Sequence, residues 1–84
     1  MAQLPGYLTP EQWVAQAFST AEVMRGGVVK RRIRDVERIA GRDYFFDQAT
    51  KRGFQVLQNH NHFIVLCNPK PIKRVGGIRP FEGP

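Results

Sequence analysis

The chain has 84 residues, of which 42% are hydrophobic, 11% aromatic and 24% charged. That suffices for one thin core, leaves no room for a second domain and excludes a wholly disordered chain. Thirteen Lys and Arg against seven Asp and Glu give a net charge of +6, which favours polyanionic partners, and the single cysteine rules out an internal disulfide.

Thr9-Pro10-Glu11-Gln12 opens the first predicted element, a helix in which Thr9 accepts a backbone N–H, Pro10 fills the first helical position and Gln12 closes the capping box. Trp13, Val14, Ala17, Phe18 and Ala21 form one apolar stripe, and the helix is expected to end by Gly26-Gly27. A hairpin of Ala21–Met24 with Val28–Arg32 is the alternative over residues 20–33. Val28 to Ile33 begins with β-branched residues and turns heavily basic, which suits an edge strand or an extended arm.

Ile33, Val36, Ile39 and Ala40 fall at helical spacing with Gly41 as a stop, and Arg42 to Arg52 makes a second helix with Phe45, Phe46 and Ala49 facing inward. Phe54–Gln58 and His62–Cys67 form a hairpin around Asn59-His60-Asn61, whose Asn residues suit left-handed backbone. Ile72–Val75 is a candidate third strand. Because six of the nine aromatics are Phe and cluster late, the core is expected after residue 40, with the N-terminal third as an accessory.

The charge is segregated. Residues 1–24 hold two acids and no base, residues 25–53 nine bases and four acids, and residues 54–84 four bases and one acid. Lys30, Arg31, Arg32 and Arg34 fall within five residues, and Arg38 and Arg42 lie one turn apart on the helices that follow. These six are the candidate phosphate contacts. The competing reading makes them a solvated face or a guard on a strand edge.

Catalytic signals are sparse. His60 and His62 are the residues suited to acid–base chemistry near neutral pH, no nucleophilic triad or phosphate loop has recognisable spacing, and Cys67 reads as a small core residue. One Cys and two His do not assemble a metal cluster, so no metal or cofactor is expected. Tyr44 is the aromatic best placed to stack on a base.

Residues 33–67, helix, Gly41 corner, helix, Arg52-Gly53-Phe54 and hairpin, resemble a winged helix-turn-helix. The run from Ile33 to Gly41, followed by a helix ending Lys51-Arg52-Gly53-Phe54, looks like the first half of a MerR-type DNA-binding domain. This resemblance implies that the second helix enters the major groove while the hairpin touches the backbone. Residues 41–69 are also similar to HicA-type toxins, small basic RNA-cleaving proteins of αβββα plan. That resemblance implies His62 as general acid or base and the Lys and Arg residues as holders of RNA phosphates.

The expected fold class is α+β, with an N-terminal helix, a helix-corner-helix pair and an antiparallel β-hairpin or three-stranded sheet. Residues 1–8 are expected to be a disordered start, 9–75 the single basic domain and 76–84 a flexible tail. The expected function is non-catalytic nucleic-acid binding, with DNA ahead of RNA. A HicA-like ribonuclease using His62, and a protein-interaction or homodimer module anchored by Trp13 and Phe18, are the alternatives. No apolar run approaches the roughly 20 residues of a membrane span, and a cytoplasmic, membrane-free protein is expected.

Overall fold

In the computed structural model, which describes residues 9–77, Thr9 stands in extended backbone and its Oγ1 accepts from the Gln12 amide at 3.1 Å. The Thr9 amide in turn donates to Gln12 Oε1 at 2.9 Å, and this reciprocal pair starts α1, Pro10–Ala17. The expected single helix breaks at Phe18-Ser19-Thr20. Thr20 caps a second, four-residue helix, α2 (Ala21–Met24), by accepting from the Val23 amide at 3.3 Å. Across the break, Phe18 and Val23 are both buried while Ala21, part of the predicted stripe, is exposed. Residues 20–33 therefore form a helix end and a strand; the hairpin alternative does not occur.

Gly26 at φ 76 turns the chain into β1, Val28–Arg32, which runs without a loop into α3, Ile33–Ile39. Gly41 at φ 90 makes the corner before α4, Arg42–Lys51. Its positive φ is the angle that a side chain would resist. The hairpin of β2 (Gln55–Asn59) and β3 (His62–Leu66) turns on two residues, His60 and Asn61. His60, not an asparagine, takes the left-handed angle, at φ 56.

The sheet is antiparallel in the order β1-β3-β2, so the fold class is α+β. The third strand is β1. The Ile72–Val75 segment forms no strand, and Ile72 is 48% and Val75 92% exposed. Pro69 and Pro71 break the ladder before that segment begins, whereas β1 sets Val29 beside Val65 on the buried side of the sheet.

Phe45 and Phe63 stack at the centre with ring centroids 6.1 Å apart, and Val36, Ala49, Val65 and Cys67 close around them. The N-terminal third is part of this core: Val14, Ala17, Phe18 and Val23 are buried, and the Phe18 ring lies 5.3 Å from Phe45 and 5.5 Å from Phe54. Val14, Phe18 and Val23 each contribute about 1.5–3 kcal/mol by leaving water. The expected start at residues 1–8 and most of the expected tail lie outside the described residues.

Candidate nucleic-acid interface

A strand sends alternate side chains to opposite faces, and this divides the basic block. Val29 and Arg31 share the helix-covered face, where Arg31 is registered with Phe63. Lys30 and Arg32 lie on the open face, registered with Ile64 and His62. The Arg31 side chain is half-buried, and its Nη1 donates to the Lys30 carbonyl at 2.8 Å. Lys30 and Arg32 are exposed.

Arg32 is at once the last residue of β1 and the N-cap of α3, so Arg34 follows on the first helical turn, also exposed. The Ile33 amide donates to the Asn61 carbonyl at 2.9 Å, which holds this junction against the hairpin turn. Arg32, His62 and Asn59 form one cross-strand row on the open face. One end of the sheet thus presents Arg32, Arg34, His62 and the His60-Asn61 turn, with Lys30 one step inward.

The remaining predicted cations are placed differently. Arg38 pairs with Asp35 at 3.5 Å, and Arg42 pairs with Glu37 at 2.5 Å while its guanidinium stands 5.5 Å from the Phe63 ring centroid. Among the described residues, Lys30, Arg31, Arg32 and Arg34 have no such carboxylate. The structure therefore brings Lys30, Arg32 and Arg34 to one end, turns Arg31 to the opposite face, and balances Arg38 and Arg42 locally. Exposed pairs of this kind are worth about 0–1 kcal/mol, so they mask charge without locking it.

Helix α4 carries no net charge, because Asp43 and Asp47 offset Arg42 and Lys51, and Lys51 pairs with Asp47 at 3.2 Å. Tyr44 is half-buried against the core and does not offer a free stacking platform. Lys73 and Arg74, which periodicity assigned to a third strand, are exposed cations without an ion pair among the described residues. Their signal in the sequence is the basic balance of the last third.

His62 is half-buried, and no carboxylate or hydrogen-bond partner orients its ring among the described residues. Its neighbours across the sheet are Arg32 and Asn59, and the elements run α-α-β-α-α-β-β. Cys67 is buried; burial pushes its thiol pKa up, and the Glu22 carboxylate adds to the rise. Such a thiol is a poor nucleophile. Phe18 is spent inside the core, with Arg52 over its ring at 5.3 Å, and Trp13 leans on Phe45 at 6.4 Å. Phe18 is consequently no anchor for an outside partner. No helix among the described residues is long and apolar enough to cross a membrane.

Compared with protein-family models, curated proteins and solved structures, the chain matches none.

Proposed function

We propose that this chain is a non-catalytic nucleic-acid-binding protein that grips phosphates at the β1–α3 junction, with duplex DNA as its expected polymer. The observation that carries this reading is the contrast in pairing: Lys30, Arg32 and Arg34, which share one end of the sheet, have no carboxylate partner among the described residues, while Arg25, Arg38, Arg42 and Lys51 each have one. Cations left free and gathered beside a turn meet successive phosphates together and release counterions on binding. The sequence of helix, strand, helix, glycine corner, helix and two-residue hairpin supports the winged-helix resemblance. Asp43 and Asp47 on α4 argue for contact led by phosphates, with little reading of base edges.

The test is fluorescence anisotropy of the pure protein with duplex DNA, duplex RNA and single strands at several salt concentrations. Binding to duplex DNA is expected to weaken steeply with salt, by about 0.9 logarithmic units per neutralised phosphate for each tenfold rise. Arg31→Ala with Arg32→Ala is expected to flatten that dependence by about one unit, the share of Arg32, since Arg31 lies on the opposite face, alike for unrelated sequences. No binding at low salt, or an unchanged slope in the double variant, overturns the reading.

A further inference from the structure

The two edges of the sheet differ in chemistry. The β1 edge carries Lys30, Arg31 and Arg32, charges that discourage pairing with another strand. The β2 edge, Gln55-Val56-Leu57-Gln58-Asn59, has no charge and no proline, and it forms an uninterrupted five-residue ladder with β3. Beyond that ladder its backbone groups have no hydrogen-bond partner among the described residues. The side-chain bonds of β2 come from Gln55, whose Nε2 donates to the carbonyls of Asn68 and Lys70 at 2.9 and 2.7 Å, so among the described residues they secure the first residue and leave the rest of the edge open. At its middle, Leu57 is 39% exposed on the open face.

From this asymmetry we propose that β2 is a self-association edge: two copies of the chain pair β2 with β2 in antiparallel fashion and join their sheets into one of six strands. The strand suits its own inverse. In the register that pairs all five residues, Leu57 meets Leu57 on the two-fold axis, Gln55 meets Asn59, and Val56 meets Gln58. Aliphatic contact lies at the centre and amides lie at the rim. Side chains keep their faces, because residues separated by an even number stay on one side. This is the self-complementary patch that a closed two-fold dimer requires.

Charge selects the occupant. A chain with net charge +6 repels its copies, and the uncharged β2 edge is where two copies meet with least repulsion. Pairing there sends the two basic β1 strands to opposite rims, five strand spacings or about 24 Å apart. The dimer buries Leu57 and extends the open-face stripe of Leu57, Ile64 and Leu66 across both copies.

Sedimentation equilibrium of the full chain across a dilution series tests the pairing, with circular dichroism to follow the fold. The wild type is expected to show twice the monomer mass at the higher concentrations. Leu57→Lys sets two ammonium groups against each other on the axis and is expected to halve that mass with an unchanged spectrum. Leu57→Cys is expected to give a disulfide-linked dimer on mild oxidation, since Cys67 is buried. A wild type that stays monomeric throughout overturns the proposal. A dimer that survives Leu57→Lys, with no cross-link through Leu57→Cys, overturns it as well by locating the contact elsewhere.

Discussion

The backbone amide of Ile33 donates to the carbonyl oxygen of Asn61 across 2.9 Å, joining the first residue of α3 to the turn of the β2–β3 hairpin. Because Arg32 and Arg34 flank Ile33, this bond holds the backbone of both residues beside the turn. Chain segments almost thirty residues apart therefore share one end of the sheet, and the proposed phosphate grip depends on their staying there.

Removing Arg32 and Arg34 together is expected to reduce the salt dependence of nucleic-acid binding by about two units. Arg38→Ala with Arg42→Ala is expected to change it by less than about one unit, because Asp35 and Glu37 already offset those cations. Anisotropy titrations of both double variants over a range of salt make the comparison. Equal effects from the two pairs would mean that local carboxylates do not select the contacts.

Phe18→Ala is expected to cost about 3–5 kcal/mol of folding stability, since it opens a cavity between the rings of Phe45 and Phe54. Urea denaturation followed by circular dichroism measures the loss. A cost below about 1 kcal/mol would place Phe18 outside the core.

At His60 the side chain is exposed and the backbone angle is left-handed, so substitutions there report on the turn alone. His60→Val is expected to lower stability by about 1–2 kcal/mol, because a β-branched residue resists positive φ. His60→Gly is expected to leave stability unchanged or raise it by about 0.5 kcal/mol, as relief of the angle offsets the greater freedom of glycine in the unfolded chain. Denaturation midpoints of the two variants should move apart.

Burial, aided by Glu22, raises the Cys67 thiol above its ordinary value of 9.0, so the native chain keeps this proton to higher pH than the unfolded chain does. The associated stability is complete below the unfolded value and is lost as pH rises through the native one. Wild-type stability is expected to fall more than that of Cys67→Ala between neutral and strongly alkaline pH. Paired denaturation curves across that range supply the measurement, and parallel losses would contradict it.

Much of the fold was legible because its signals are local. The Thr9–Gln12 box, the Gly41 corner, the helix after it and the hairpin each depend on residues a few positions apart, and each lies within a residue or two of its expected place. The helix break was harder to read. Thr20 competes for the Val23 amide only because the turn it makes lets both Phe18 and Val23 reach the core. Of the candidate site, the identity of the cations was plain and their grouping was not. Asp35 and Glu37 stand close to Arg38 and Arg42 in sequence, yet whether they pair is settled by where the side chains reach.

By itself the sequence determined the α and β segments, the concentration of charge between Arg25 and Arg52 and the turns that connect them, since these follow from capping, periodicity and glycine. Only the tertiary structure decided that β1 rather than Ile72–Val75 completes the sheet, that the N-terminal helices belong to the core, and that the face covered by the helices is the one with Arg31 rather than the one with Lys30 and Arg32. The physical reason is the same in each case. Strand partners and ring contacts join residues far apart along the chain, and their free energy depends on what else is buried with them, a quantity that no local pattern contains.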